Sequence, residues 1–331
     1  MAEKAGAIVP GFVDLQVNGT HGLDFSSADL TRSDCLRAFD FIRSAGTAAF
    51  LPTVITSPID SLLHNLETIA RASREYAHAE SVAGIHLEGP FLDPSPGAIG
   101  AHNPEWVLPP DPGIFHRLQD AARGTIRVLT VSAGLAGVEA LIADASAHGV
   151  VVSLGHQMAG YDAVRHAADA GASLLTHLGN GLPHQVGRHE NPLLAGLAED
   201  RLDAMLITDG HHLPDELVRL ILRVKGIEHA IVVSDAAPVV GLPPGRHTTL
   251  GNVVEVTADG LVINPETGYL AGSGRTMLQC MNRLAEPGLV AYDELIAMGL
   301  FNPARVLGID VAALPGPGVV FDRSARRFVL A

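Results

Sequence analysis

Four side chains that could carry out hydrolytic chemistry each follow a short apolar run. They are Glu88 after Ile85-His86-Leu87, His156 after Val151–Gly155, His177 after Leu174–Thr176 and Asp235 after Ile231–Ser234. A parallel barrel gathers the carboxyl ends of its strands into one mouth, so residues far apart in sequence can meet there. Two histidines and one carboxylate form a hydrolytic metal site with an open coordination position. The pattern therefore indicates a metal-dependent hydrolase.

Taken singly, each of these residues also has a structural explanation. A lone histidine at a strand end is more often hydrogen-bonded than metal-bound, and Asp235 alone fits a turn-forming aspartate. Beside a metal, Asp235 is better explained as a general base and then a general acid. It would take a proton from the metal-bound water and deliver it to a leaving nitrogen. Zn²⁺ suits a His₂Glu set, and the ligand types leave Fe²⁺, Mn²⁺ and Co²⁺ open.

Polar residues at other strand ends point to the same mouth. Gln16 and Asn18 place two amides on one face of the first strand, and amides are poor ligands where a second metal would require His-x-His. A single metal is therefore favoured. One of His211 and His212 is expected to reach the substrate, and His86 shares a strand face with Glu88.

The length, composition and net charge limit the classes of protein to which the chain can belong. The chain has 331 residues, of which 47% are hydrophobic, and a single α/β barrel reaches this size. Its net charge of -14 argues against nucleic acid but leaves room for one small anionic substrate. Residues 1–6 hold no apolar signal core and no run approaches 18 apolar residues, so we expect no membrane segment and a cytoplasmic location. Cys35 and Cys280 are expected to be buried free thiols.

Eight strand candidates alternate with helical patterns. The strands are predicted at 8–18, 47–56, 81–88, 126–133, 149–155, 173–178, 203–209 and 229–235, and helices include 33–43, 59–76, 137–147, 161–170 and 215–224. The strands are nearly unbroken Val/Ile/Leu runs, which is typical of parallel strands covered on both faces. The sequence therefore predicts an α/β fold, a (β/α)8 TIM-like barrel of the metal-dependent hydrolase type, with an open doubly wound sheet as the alternative.

The pattern changes after the eighth strand. Residues 246–270 suggest β-hairpin material with a turn at Ala258-Asp259-Gly260, and the segments 319–321 and 327–330 suggest a terminal hairpin. Helices are predicted at 276–284, 292–299 and 303–307. We divide the chain into a barrel at 1–310, with a hairpin insertion at 246–271, and a C-terminal strand remnant of a small β domain at 311–331.

Several motifs occur in an order that resembles a known family. They are His86–Phe91, Gly100-Ala101-His102, Gly155-His156, Thr176-His177-Leu178 with Asn180, Asp209-Gly210 with His212, Ser234-Asp235-Ala236 and Leu270–Ser273. Together they resemble the N-acetylglucosamine-6-phosphate deacetylase family of the amidohydrolase superfamily, over residues 9 to 308. Pro10–Gly19 is also similar to the version of the family that carries amides on the first strand.

The resemblance implies a role for each matching residue. Glu88, His156 and His177 would bind one divalent metal, and Asp235 would be the acid/base. Asn180, Gly181 and His212 would hold the sugar phosphate, with Ala101, His102 and the backbone of Ala271, Gly272 and Ser273 shaping the rest of the pocket. His102 would also help to polarise the acyl oxygen. Arg188 falls at the family's phosphate-binding arginine, which reaches in from a neighbouring subunit, so the resemblance implies a homodimer.

Some positions depart from the family pattern. Members usually begin with several strands that build a small β-sandwich, and about nine residues precede Pro10 here, so that domain is expected to be absent or vestigial. Ile99 stands where a lysine is common, and Gly179–Leu182 replaces the usual Tyr/Phe-Asn-Ala-Met. These changes spare the catalytic positions and bear on substrate identity.

The expected reaction is deacetylation of an N-acetyl amino sugar phosphate, foremost N-acetylglucosamine 6-phosphate to glucosamine 6-phosphate and acetate. Metal-bound hydroxide would attack the amide carbonyl while Asp235 shuttles the proton. One alternative is the same machinery acting on a different N-acyl or cyclic amide. The other is a non-catalytic barrel that binds sugar. The epimer and phosphorylation of the sugar and the native metal stay open.

Overall fold

The computed structural model describes residues 8–286 and 288–331. Residues 1–6, which we predict to hold no signal core, lie outside the described residues. The first residues of the predicted barrel domain do so as well.

Eight parallel strands form the central sheet. The strands of the chain are β1 (Phe12–Val17), β2 (Gly19–Thr20), β3 (Leu23–Asp24), β4 (Thr47–Ile55), β5 (Ile85–Glu88), β6 (Ile126–Val131), β7 (Val151–Leu154), β8 (Ala172–Leu175), β9 (Asp203–Ile207), β10 (Ala230–Val233), β11 (Gly245–Thr249), β12 (Asn252–Val256), β13 (Val262–Ile263), β14 (Val319–Asp322) and β15 (Arg327–Leu330). The sheet runs in the order β1-β4-β5-β6-β7-β8-β9-β10. Each of these eight strands overlaps one of the predicted strands.

The sheet closes where the chain after β10 meets β1. The amide of Asp235 donates to the carbonyl oxygen of Gln16 at 2.9 Å, and the amide of Asn18 donates to that of Ala236 at 2.9 Å. Val17 and Ala236 form a parallel bridge between these bonds. The (β/α)8 TIM-like barrel is thus confirmed, and the open doubly wound sheet is wrong.

Amphipathic helices cover the outside of the barrel. They are α1 (Arg32–Ser44), α2 (Ile59–Glu75), α3 (Pro112–Ala121), α4 (Val138–Ala147), α5 (Tyr161–Asp169), α6 (Pro192–Ala198), α7 (Asp215–Lys225), α8 (Met277–Ala285), α9 (Tyr292–Ile296) and α10 (Asn302–Leu307). In α2, Leu62, Leu66 and Ile69 recur at helical spacing and are fully buried. Helix α1 begins with a capping box between Thr31 and Asp34. The predicted helices agree to within one or two residues, except that α9 passes into a π-helical turn at Ala297–Phe301.

The insertion after β10 forms its own small sheet. Strands β11, β12 and β13 pair antiparallel, and the turn predicted at Ala258-Asp259-Gly260 lies between β12 and β13. Val254, Val256 and Val262 pack with Ala237 and Val239, which follow β10. The predicted hairpin is confirmed, and β11 adds a third strand that holds the insertion over the barrel mouth.

An aromatic cluster lies at the opposite, amino end of β1. The predicted terminal hairpin is confirmed as β14 and β15, and Val9 pairs with Val319. The ring of Phe328 lies 5.0 Å from that of Phe12 and 4.8 Å from that of Phe321, between ring centroids. The hairpin therefore packs directly on the barrel. The domain boundary at residue 310 stays a prediction.

The structure also bears on the two cysteines and on membrane-spanning helices. Cys35 and Cys280 are buried and unbonded, as predicted. No helix among residues 8–286 and 288–331 is long and apolar enough to cross a membrane.

Candidate active site

A cavity of about 420 Å³ opens at the carboxyl end of the barrel. The predicted site residues that line it are Asn18, Glu88, Ala101, His102, His156, His177, Asn180, Gly181, His212, Asp235 and Gly272. Four others do not line it: Gln16 lies buried beneath it, Ala271 and Ser273 are buried in its supporting wall, and Arg188 is exposed. The barrel thus brings most of the predicted site together.

The three predicted metal ligands converge on one point. Oε1 of Glu88 lies 3.2 Å from Nε2 of His156 and 3.1 Å from Nε2 of His177, and the two nitrogens are 3.1 Å apart. A tetrahedral zinc ion with bonds of about 2.0–2.1 Å needs its ligands roughly 3.3 Å apart. All three side chains are buried. Their spacing therefore fits a single small divalent cation.

The hydrogen bonds around this cluster also fit a cation. Nδ1 of His156 lies 2.8 Å from the carbonyl oxygen of Ala98, which can only accept, so Nδ1 donates and Nε2 is the ring nitrogen that faces the cluster. The amide of Gln16 donates to Oε1 of Glu88 at 3.0 Å. Burial alone would raise the pKa of Glu88, but hydrogen bonding with His156 and His177 holds it well below its usual value. Glu88 is thus a carboxylate ready to ligate.

The backbone is strained where three of these side chains leave their strands. The φ angles are +49° at His156, +30° at His177 and +46° at Asp235, a left-handed region that L residues seldom adopt. Each such residue costs of order 1–3 kcal/mol and persists only where its surroundings enforce it. From this backbone conformation all three side chains line the cavity.

Asp235 lies beside the three predicted metal ligands. Its Oδ1 accepts a hydrogen bond from Nδ2 of Asn18 at 2.7 Å. Burial, followed by the charge of Glu88, raises its pKa to about 6. A carboxylate with a pKa near neutrality can both accept and return a proton at physiological pH.

Three polar residues, two on β1 and one directly after it, contact the site from one side. Asp14, Gln16 and Asn18 share one strand face, and they bond to Ser234, Glu88 and Asp235 respectively. Oδ2 of Asp14 accepts from the Ser234 hydroxyl at 2.5 Å, and its Oδ1 accepts from the Ser234 amide at 3.1 Å. Burial raises the pKa of Asp14 to about 7, against the opposing effect of the Ser234 bonds. Asp14 was not among the predicted site residues, although three polar residues at period two in an apolar strand are a readable signal.

A chain of hydrogen bonds lies below the ligands and includes His86. Its Nδ1 lies 3.0 Å from the carbonyl oxygen of Leu15, so Nδ1 donates and Nε2 must accept from the Thr130 hydroxyl at 2.7 Å. Thr130, Thr176 and Ser153 continue the chain at 2.7 Å and 2.6 Å. Burial lowers the pKa of His86 to about 4, which fits this neutral tautomer. The network joins five strands directly beneath Glu88, His156 and His177.

His102 points a hydrogen-bond donor into the cavity. Its Nδ1 accepts from the amide of Thr56 at 3.3 Å, so a neutral ring carries its hydrogen on Nε2. Burial, then the neighbouring His156, lowers its pKa to about 3, which keeps the ring neutral. Nε2 lies 3.9 Å from Oε2 of Glu88, close to the predicted metal ligands. The side chain can therefore donate a hydrogen bond to an oxygen bound there.

His212 is held by a buried carboxylate. Its Nδ1 lies 2.8 Å from Oδ2 of Asp209, whose Oδ1 also accepts the amides of His211 and His212. Burial alone would raise the pKa of Asp209, but the His212 bond and charge hold it well below its usual value. His211 lines the cavity as well. The cavity wall here presents imidazole groups suited to an anionic substituent.

Two further residues of the cavity were not predicted from the sequence. The rings of His184 and Tyr269 stack with centroids 4.8 Å apart and planes 13° from parallel, and both line the cavity. Tyr269 belongs to the insertion and His184 to the loop after β8, so no local spacing links them.

The segment Ala271–Ser273 supports Asp235 from behind. The amide of Ser273 donates to the carbonyl oxygen of Asp235 at 2.8 Å, and the amide of Ala237 donates to that of Ser273 at 2.8 Å. Gly272 has φ +68°, and a Cβ there would lie 2.9 Å from the Asp235 carbonyl oxygen. Only glycine fits this close approach without displacing the backbone.

Comparisons with known proteins agree on one family, although no protein-family model matches the chain. The chain is 33% identical over 317 residues to N-acetylglucosamine-6-phosphate deacetylase from Homo sapiens, covering 92% of this chain and 75% of that protein. It is 31% identical over 306 residues to N-acetylgalactosamine-6-phosphate deacetylase from Escherichia coli O157:H7, covering 92% and 79%. A mutant N-acetyl-D-glucosamine-6-phosphate deacetylase from Mycobacterium smegmatis, solved in complex with N-acetyl-D-glucosamine-6-phosphate, superposes with a TM-score of 0.88 at 31% identity, covering 98% of this chain and 84% of that one.

Proposed function

This chain belongs to the N-acetylglucosamine-6-phosphate deacetylase family of amide hydrolases, and we propose that it removes the acetyl group from an N-acetyl amino sugar phosphate. The first candidate reaction converts N-acetylglucosamine 6-phosphate to glucosamine 6-phosphate and acetate. The observation that carries the proposal is the convergence of Glu88, His156 and His177 beside Asp235.

Glu88, His156 and His177 would hold one divalent ion, and the donor set favours Zn²⁺ over Fe²⁺, Mn²⁺ or Co²⁺. When bound, such an ion acidifies water and polarises the amide carbonyl. Gln16 orients Glu88, and the Ala98 carbonyl orients His156. These two contacts align Glu88 and His156 toward the ion position.

Asp235 would move the proton. Its carboxylate takes a proton from the attacking water and delivers it to the amide nitrogen as the C–N bond breaks, so acetate and a free amine leave. Asn18 holds one carboxylate oxygen in place. His102 would donate its Nε2 hydrogen to the acetyl oxygen, where negative charge develops.

The phosphate end would lie on the β8 side of the mouth. Asn180 and Gly181 line the cavity after β8, and His212 faces it from the β9 side. Arg188 is exposed and does not line the cavity of its own chain. This position supports its proposed role across the interface of a homodimer. Four large apolar side chains from segments after β7 and β8, Met158, Tyr161, Val186 and Leu194, are 40–45% exposed and could form that interface.

Two further properties belong to the proposal. The buried free thiols of Cys35 and Cys280 fit a reducing, cytoplasmic compartment. The predicted exclusion of nucleic acid is supported by the net charge of -14.

The test is hydrolysis of four compounds by zinc-loaded protein: N-acetylglucosamine 6-phosphate, its galactose epimer and the two unphosphorylated sugars. We expect turnover of at least one phosphate and far weaker turnover of the neutral sugars. The galactose epimer is the second candidate, because the Escherichia coli relative named for that substrate is about as similar as the human one. Activity on neither phosphate would favour a different amide, and a metal-free, inactive preparation after zinc loading would favour a non-catalytic sugar-binding barrel.

Arg188→Ala separates a phosphate substrate from a neutral one. We expect KM to rise at least tenfold with little change in kcat, because the ion pair with phosphate is lost while the three metal ligands are unchanged. Arg246→Ala, at another exposed arginine, is the matched control. Light scattering of both variants reports whether a dimer persists. An unchanged KM would contradict the proposed phosphate contact.

A further inference from the structure

A second cavity, of about 720 Å³, lies beside the catalytic one. It is bounded by the end of β4, the loop before α1, the start of α2 and the turn between β11 and β12; we call it the Trp106 cavity. Ile55 and Leu250 line both cavities, so the two cavities adjoin at these aliphatic side chains. Its volume is in the range of small-molecule binding sites.

The walls of the Trp106 cavity have a different chemistry from those of the catalytic cavity. They combine hydroxyl and carboxylate side chains and one indole with several aliphatic residues. The hydroxyl, carboxylate and indole residues are Asp24, Ser26, Ser27, Asp29, Asp34, Thr56, Ser57, Ser61, Trp106, Thr248 and Thr249. Across the described parts of the chain, no lysine, arginine or histidine lines it. An anionic ligand would meet only carboxylates of its own sign, so phosphate is disfavoured here.

A small hydrogen-bond network holds the walls in place. Asp24 accepts the amide of Ser26 at 2.8 Å and the amide of Leu250 at 3.2 Å. The Ser26 hydroxyl accepts the amide of Ile55 at 2.9 Å. Asp24 and Ser26 thus tie the β4 end to the insertion, and the cavity is formed before any ligand binds.

Two residues identify what such a cavity would hold. Trp106 is the single tryptophan of the chain and contributes a large apolar ring to walls that also carry many hydroxyl groups. The hydroxyl oxygen of Thr249 is buried and makes no hydrogen bond to any described residue. A sugar ring matches both, since its C–H face stacks on an aromatic ring while its hydroxyls exchange hydrogen bonds with serine, threonine and aspartate.

The order of strands places the cavity opposite the proposed phosphate end. In the barrel order, β4 and β8 are four strands apart among eight, so they face each other across the mouth. A sugar phosphate with its phosphate toward Asn180 and Gly181, after β8, directs its other end toward β4.

We propose that the Trp106 cavity binds an uncharged sugar residue, linked to the amino sugar phosphate that occupies the catalytic cavity. This substrate class, a phosphorylated N-acetyl amino sugar carrying a second neutral sugar, rests on the proposed function. The binding of a neutral sugar beside Trp106 does not.

Fluorescence of Trp106 tests the binding directly, because no other tryptophan contributes. Titration with N,N′-diacetylchitobiose should give a saturable change in emission, and inorganic phosphate should give none. Thr249→Val should weaken the disaccharide about fivefold to tenfold by removing one hydrogen bond. Thr257→Val makes the same substitution in the turn after β12, outside the cavity, and should leave affinity unchanged. No saturable change up to tens of millimolar disaccharide, or an equal response to phosphate, would overturn the proposal.

Kinetics test the link to catalysis. For a disaccharide whose N-acetylglucosamine 6-phosphate ring carries a second neutral sugar, Thr249→Val should lower kcat/KM about fivefold to tenfold. For the monosaccharide phosphate the same variant should leave kcat/KM unchanged. Equal effects on both substrates would overturn the linked-sugar proposal. An enzyme that deacetylates neither substrate refutes the proposed function instead, and the emission titration still decides whether the cavity binds sugar.

Discussion

The two ends of the barrel use buried residues for opposite purposes. At the carboxyl end, Glu88, His156 and Asp235 are buried polar groups, and two of them sit in left-handed backbone conformations. At the amino end of β1, Phe12, Phe321 and Phe328 pack ring against ring with no buried charge among them. The buried polar groups lower the stability of the fold and provide the reactive side chains. The phenylalanine cluster stabilises the fold and takes no part in the reaction. Substitutions at the two ends should therefore change activity and stability separately.

The largest effect is expected at Asp235. Asp235→Asn should lower kcat about 10²- to 10⁴-fold, because the proton carrier is lost while the three ligands keep their metal. Metal analysis and steady-state kinetics measure both quantities. Asp120→Asn, at an exposed aspartate, is the control. Near-normal turnover in the Asp235 variant would remove this residue from the mechanism.

The same variant should make the metal-free protein more stable. Because the pKa of Asp235 is raised from 3.8 to about 6, the folded state binds its proton more tightly than the unfolded state, and stability falls as pH rises from about 4 to 6. Asparagine removes this cost, so the free energy of unfolding at pH 7–8 should increase by about 1–3 kcal/mol. The gain should vanish below pH 4. Thermal unfolding across pH measures it, and a destabilised variant at pH 7.5 would contradict the comparison.

Phe328→Ala should have the opposite signature. The ring is 2% exposed, and its removal leaves a cavity against Phe12 and Phe321, so we expect a loss of about 3–5 kcal/mol. At a temperature where the variant is folded, kcat should stay within twofold of the parent. Leu330→Ala, in the same strand at 48% exposure, should cost far less. A large fall in kcat for Phe328→Ala would show that the two ends are coupled.

A smaller effect on turnover than at Asp235 is expected at the seam between β1 and the segment after β10. Ser234→Ala removes the hydroxyl that donates to Asp14 and should lower kcat about tenfold, with KM and metal content little changed. Ser234→Thr keeps the hydroxyl and should recover most of the activity. If the alanine variant keeps full kcat, Asp14 and Ser234 do not position Asp235.

Much of this architecture is predictable from the sequence because its signals are local. Unbroken Val/Ile/Leu runs predict buried parallel strands, and ligand-type residues directly after them must lie at the mouth of a barrel. Glu88, His156, His177 and Asp235 all follow such runs, so their meeting at the mouth is predictable. The terminal hairpin is predictable as well, from two short β-rich segments.

What escaped prediction depends on contacts between distant segments. His184 and Tyr269 stack although 85 positions separate them, and neither follows a strand. The Trp106 cavity needs the insertion to fold back over the end of β4, which no periodicity encodes. The left-handed backbone at His156 was also hidden, since only tertiary packing enforces such a conformation on an L residue.

The seam between Asp14 and Ser234 also has a consequence for how the enzyme matures. The three metal ligands lie within 89 positions of one another, whereas Asn18 and Asp235 are 217 positions apart. Loop closure over the longer span is entropically harder and waits on more of the chain. A half-folded polypeptide emerging from the ribosome can thus assemble its ion site before its proton carrier is in place. Catalysis therefore requires that β1 and the segment after β10 have joined, because this seam brings Asn18 to Asp235.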